Sequence, residues 1–158
     1  MSDIIAKQAP AAQDTKAIPA TAVDWGLLIL RLVLGIVFVM HGWPKVTAFS
    51  QTVAGMGHMG IPAPLAALDI VTEFAGGLAL IAGVLARLAS AGIIVVMLVA
   101  IFKVHLANGF FMNWFGNQKG EGIEYHLLVI AMALMVILAG PGRFAFADPE
   151  KRLFEKRA

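Results

Sequence analysis

The stretch Trp25–Trp43, WGLLILRLVLGIVFVMHGW, carries one formal charge, Arg31, in an otherwise apolar run. At 1.5 Å rise per residue, about 20 such residues cross the roughly 30 Å hydrocarbon layer of a bilayer. The run is continuous instead of alternating. Lipid admits only helices or closed barrels, so this pattern predicts a transmembrane helix over 25–43. Three more runs read the same way, over about 64–86, 88–107 and 123–140. Pro44 is expected to close the first span and Pro141 the fourth, while Pro62 and Pro64 precede the second. Only Arg87 separates the second run from the third, which predicts a tight hairpin. The expected fold is an all-α membrane protein, a four-transmembrane-helix bundle over residues 23–146. An N-terminal arm (1–22) without the continuous apolar core of a signal peptide precedes it, and a tail (147–158) follows.

The whole composition agrees with that solvent. Of 158 residues, 59% are hydrophobic and 14% charged, and the mean hydropathy is +0.83. A soluble domain of this length has too much surface to cover with so few charges, which excludes an ordinary cytoplasmic enzyme. A net charge of only +2 argues against nucleic-acid binding. The absence of cysteine removes thiolate nucleophiles, disulfides, and cysteine-ligated zinc or iron–sulfur clusters. The four histidines form no HExxH or CxxCH pattern, and no phosphate-binding glycine loop is present, so no metal site is expected.

Lysines and arginines orient the bundle. Lys7, Lys16, Arg87, Arg143, Lys151, Arg152, Lys156 and Arg157 fall on one side, against Lys45 and Lys119 on the other. Eight against two predicts that both termini are cytoplasmic. Trp25, Trp43 and Trp114 then lie at the two interfaces, as aromatic belts do. The outer connections are a Gly- and Met-rich segment over 45–63, with a short helix expected over 46–54, and an aromatic segment over 108–122.

Charges inside the spans are the informative exceptions, because lipid makes them expensive unless they face inward and pair. Arg31 lies about 9 Å inside the first span, and Glu73 lies near mid-membrane in the second. Their pairing is the simplest expectation. Asp69, one turn from Glu73, is then left to meet a group nearer the outer face. Arg31, Phe38 and Lys45 repeat every seven residues and share a stripe with His41 nearby, and Lys103 and His105 end the third span. His41, Lys45, Asp69, Lys103, His105, Glu124 and His126 share one outer depth on four helices. That predicts a polar funnel open to the outer face; ion pairs that only fix helix register are the alternative. Gly35 of span one is expected to face a small-residue surface of span two that includes Gly76 and Gly77.

The run Arg31-Leu32-Val33-Leu34-Gly35, Phe38, and His41-Gly42-Trp43-Pro44-Lys45 resembles the opening helix of the DoxX family. Glu73 with Gly76-Gly77, the Gly83–Arg87 turn, and Gly140-Pro141-Gly142-Arg143 extend the resemblance over about residues 24–148. The resemblance implies a small four-helix protein of the bacterial cell inner membrane. It further implies an association with oxidoreductase systems, with quinone or sulfur-oxyanion chemistry, and with oxidative stress. On that basis the chain is expected to be a membrane subunit of an oxidoreductase system that binds a quinone or similar lipophilic head group. His41 and Glu73 would exchange protons with the head group. Arg31, Phe38, Lys45, Asp69, Lys103 and His105 would form the binding site. Electrons would come from an oxidoreductase partner protein, since the chain has no cysteine and no flavin or haem motif. Two other readings stay open: a small transporter or permeability factor for a weak acid or anion, which would need a homodimer, and a non-catalytic assembly protein. Membrane lipid is a partner in all three.

Overall fold

The computed structural model describes residues 19–155, so most of the expected arm and the last three tail residues lie outside the described residues. Six helices follow in order: α1 (Ala20–Thr47), α2 (Phe49–His58), α3 (Ala63–Ala82), α4 (Ala86–Ala100), α5 (Glu124–Ala139) and α6 (Lys151–Glu155). A π-helical turn, Ile101–His105, and a short 3-10 turn, Leu106–Asn108, carry α4 onward. Among the described residues, three helices are long and apolar enough to cross a membrane: Ala20–Thr47, Ala63–Ala82 and Ala86–Asn108. The apolar α5 is a shorter fourth. The protein is an all-α membrane protein.

Helix ends depart from the sequence expectation where local chemistry decides them. Helix α1 does not stop at Pro44 but runs to Thr47. The proline's missing N–H costs one bond near the helix end, and its own carbonyl accepts from Ala48 N–H at 3.0 Å. The hairpin breaks at Gly83, earlier than Arg87. Gly83 takes φ 73°, its N–H donates to Leu80 O, and Val84 N–H donates to Ala79 O, a paired cap typical of a left-handed residue. Leu85 also has positive φ, 50°, so Ala86 already belongs to α4. Such a backbone is costly for leucine and persists because both flanking helices are held in place.

Helix α1 packs chiefly on α3, α4 packs on α5 and α3, and α1 touches α5 only lightly. Glycines set the α1–α3 approach. A Cβ at Gly42 would lie 2.6 Å from the Phe74 backbone nitrogen, and one at Gly35 would lie 2.7 Å from the Gly77 carbonyl. Larger residues would push the helices apart. Around this seam Leu34, Phe38, Leu80, Ile93, Ala133 and Val136 form the core. Ile29, Val33, Ile36 and Met40 of α1 face outward and are exposed, which suits lipid as solvent.

The end where α1 begins is closed by the segment after α5. Arg143 N–H donates to the Asp24 carboxylate at 3.0 Å, and Phe146 N–H to Ala82 O at 2.9 Å. Trp25 and Phe144 rings lie 4.6 Å apart. This is the terminal end of the bundle. The opposite, loop end carries α2 and residues 108–123.

Candidate functional site

The charged groups expected to share a funnel do not form one. They separate into a terminal-end group, a loop-end group, and two flanking positions.

Arg31 belongs to the terminal end, and the expected Arg31–Glu73 pair does not form. Arg31 is fully buried, and its Nη1 donates to Leu80 O at 2.8 Å while Nη2 donates to Phe144 O at 3.3 Å. Leu80 lies two turns beyond Glu73 on α3, about 10 Å along the axis. The guanidinium therefore spends its charge on the carbonyls that end α3 and on the chain segment packed beneath them, where cations are favoured. Gly83 makes room for it, since a Cβ there would strike Arg31 Nη1.

The partner that Glu73 finds is Lys45. Lys45 Nζ lies 2.7 Å from Glu73 Oε2 and 2.9 Å from Asp69 Oδ2. Asp69 thus meets the outer cation that its position called for, and Glu73 meets the same one. The seven-residue stripe on α1 brings Lys45 over the α3 face carrying Asp69 and Glu73, and Gly42 permits the close approach. Side-chain exposure falls from 27% at Lys45 through 19% at Asp69 to 5% at Glu73. Two carboxylates share one ammonium, so the cluster holds an acidic excess that one proton would balance.

Beside this cluster, His41 Nδ1 lies 3.0 Å from Val37 O. A carbonyl only accepts, so Nδ1 carries a proton and Nε2 is the ring position left for another partner. The His41 ring is 16° from parallel with Tyr125, at a centroid separation of 6.4 Å, and 6.5 Å from Phe38. Phe38 is buried at the base of this arrangement, while His41 is exposed where α1 and α5 pack lightly. Tyr125 is the site neighbour that sequence reasoning missed. As the chain's one tyrosine, at the start of the fourth span, it offered a compositional signal.

Lys103 and His105 stand apart from that cluster. Both sit on the π-helical turn, a feature common at functional positions. His105 Nδ1 donates to Glu121 O at 2.8 Å, and its ring lies 4.2 Å from that of His126. It ties the aromatic loop to the bundle, with Asn108 Nδ2 donating to the same carbonyl at 3.1 Å. Glu124 accepts Met112 N–H at 3.2 Å, so it too holds the loop. Lys103 is exposed, with Nζ above Gly60 on the outer side of α3 and α4. Among the described residues no group of three or more potential metal ligands occurs.

Comparison with known proteins places this geometry in a lineage. The DoxX family model matches residues 26–106, which include Arg31, His41, Lys45, Asp69 and Glu73. Inner membrane protein YqjF of Escherichia coli (strain K12) is 30% identical over 122 residues, covering 77% of this chain and 89% of that protein. A protein named "Putative oxidoreductase CatD" of Bacillus subtilis (strain 168) is 27% identical over 124 residues, covering 78% and 85%. No solved structure matches significantly. The helix carrying Arg31 through Lys45, the α3 carboxylates beneath it and the family match agree: the chain belongs to the DoxX family of small bacterial membrane proteins.

Proposed function

We propose that this protein is the membrane subunit of an oxidoreductase system and binds the head group of a quinone or similar lipophilic carrier at the loop end. The observation that carries this reading is the Lys45–Asp69–Glu73 cluster at the loop end, with the exposed His41 one turn from Lys45 on α1. The names of the two relatives, "Inner membrane protein YqjF" and "Putative oxidoreductase CatD", point the same way.

The residues suit a small ring bearing carbonyl oxygens. Lys45 Nζ is a donor for a carbonyl oxygen of the oxidised ring, His41 Nε2 an acceptor for a hydroxyl of the reduced ring, and Tyr125 supplies a ring surface. A bound quinone supplies electron carriage within the lipid. The chain's own part is to orient the ring and hold the proton. With Nζ and Oε2 2.7 Å apart, the Lys45 ammonium and the Glu73 carboxylate offer a donor and an acceptor side by side. In this reading Arg31, Lys103 and His105 lie outside the head-group site, Arg31 acting only through the fold. Lacking cysteine, flavin and haem motifs, the chain takes its electrons from a partner protein.

Protein purified in mild detergent is expected to retain quinone on solvent extraction and mass spectrometry. Glu73→Gln, which leaves Lys45 paired to Asp69, is expected to weaken binding at least tenfold. Absence of any quinoid lipid, together with no saturable binding on titration, overturns the reading.

The same proposal places the protein in the inner membrane with both termini cytoplasmic, following the basic residues at the terminal end. The cysteine-free chain makes that easy to test. A single cysteine replacing Gln118 should react with a membrane-impermeant maleimide from the periplasmic side, and one replacing Arg152 should not. The reverse pattern would invert the topology.

A further inference from the structure

Outside the polar cluster, a groove of about 750 Å3 lies between α3 and α4. That volume falls within the ~300–1,000 Å3 typical of sites for small molecules. It runs from Gly60 and Lys103 at the loop end to Leu85 and Leu88 at the terminal end, close to the full depth of the hydrocarbon layer.

Small residues make its floor. Helices α3 and α4 meet where Thr72 lies against Gly92 and Gly76 lies near Ala89. Branched side chains make its walls: Leu65, Leu68 and Val71 on one side, Val95 and Val99 on the other, all exposed. A narrow apolar trough of this length, open sideways to lipid, matches an extended hydrocarbon chain.

Charge at the mouth selects among molecules bearing such chains. Asp69 reaches the rim, but its carboxylate is already held by Lys45 at 2.9 Å. Lys103 is exposed, and no carboxylate lies within ion-pair distance of it among the described residues. Its Nζ would lie 3.9 Å from a Cβ at Gly60, at the level where α3 begins and lipid headgroups sit. One uncompensated cation above an apolar trough complements an anionic amphiphile.

We propose that the α3–α4 groove is a binding site for an anionic phospholipid, with an acyl chain on the Thr72–Gly76–Gly92 floor and the phosphate on Lys103. The site is separate from the quinone site, which lies on the α1 side of α3.

Two variants test it without touching that site. Lys103→Gln removes the cation. Gly76→Leu fills the floor; its Cβ meets only ordinary contacts, Ala89 Cβ at 3.8 Å and Thr72 Cγ2 at 4.0 Å. The protein is exchanged into nanodiscs containing phosphatidylglycerol and phosphatidylcholine, extracted in mild detergent and weighed by native mass spectrometry. Wild type is expected to retain one phosphatidylglycerol in preference to phosphatidylcholine by about fivefold, the advantage one lysine gives near an anionic headgroup. Lys103→Gln should abolish the preference while keeping some lipid, and Gly76→Leu should lower retention of both. Equal retention of the two lipids, a preference that survives Lys103→Gln, or a dimer mass whose interface is broken by Gly76→Leu would each overturn the proposal. Quinone retention is read in the same spectra. Its loss in Glu73→Gln but not in Lys103→Gln keeps failure of one site distinct from failure of the other.

Discussion

The two ends of the bundle bury charge in opposite ways. At the terminal end, ionic side chains are consumed largely by the backbone. Arg31 ends on carbonyls of α3 and of the segment after α5. Arg87 Nε donates to Ile137 O at 3.1 Å, with Nη1 3.3 Å from Asp148. The Glu150 carboxylate accepts the N–H groups of Arg87 and Leu88, each at 2.9 Å, and so caps α4 from more than sixty residues away in sequence. At the loop end, side chains meet side chains, two carboxylates on one lysine, beside an exposed imidazole. A charge that satisfies helix ends has a structural use already. A charge cluster with an unbalanced proton count is available for chemistry.

Substitution should separate the two ends. Lys45→Met leaves Asp69 and Glu73 without their cation and is expected to cost about 3–5 kcal/mol, the usual penalty for breaking a buried pair from one side. Thermal unfolding in detergent would measure it. Adding Glu73→Gln should recover part of the loss, and failure to recover any would mean the cluster is not coupled as its distances indicate. Arg31→Leu should lower stability by about 2 kcal/mol through lost charged hydrogen bonds, while quinone retention in the folded fraction stays unchanged. Lost retention at full stability would dissolve the division between the two ends. Glu150→Ala should cost about 1 kcal/mol as a lost helix cap, with faster amide exchange at Arg87 and Leu88 as its local signature. The smallest expected effect on stability is that of His41→Ala, within about 0.5 kcal/mol because the ring is exposed, yet head-group binding should fall. Unaltered binding in that variant would remove His41 from the site.

Much of this was legible in the chain itself. Continuous apolar runs flanked by proline and glycine reveal spans, because hydrocarbon thickness imposes a length and backbone satisfaction imposes a helix. The seven-residue recurrence put Arg31, Phe38 and Lys45 on one stripe of α1. The need of charges in lipid to pair suggested Arg31 as the partner of Glu73, and there the inference failed. Spacing tells which residues share a stripe, but not how far two helices slide along one another. The Gly42–Phe74 and Gly35–Gly77 approaches set that slide, and they match Lys45, not Arg31, to Glu73. The capping by Glu150 was hidden for a similar reason: helix-cap signals are sought within a few residues, and this cap comes from the far end of the chain.

Solvent, helical class, and the presence of charges too costly to be accidental were determined by the sequence alone, since each follows from composition and local period. Which charge meets which, and that Lys103 turns away from the polar cluster to a groove on the other side of α3, was decided only by tertiary structure. The physical reason is range. Hydropathy and helix geometry act over one turn or one bilayer thickness, whereas ion pairs act over less than 4 Å, and helix packing alone brings distant residues that close.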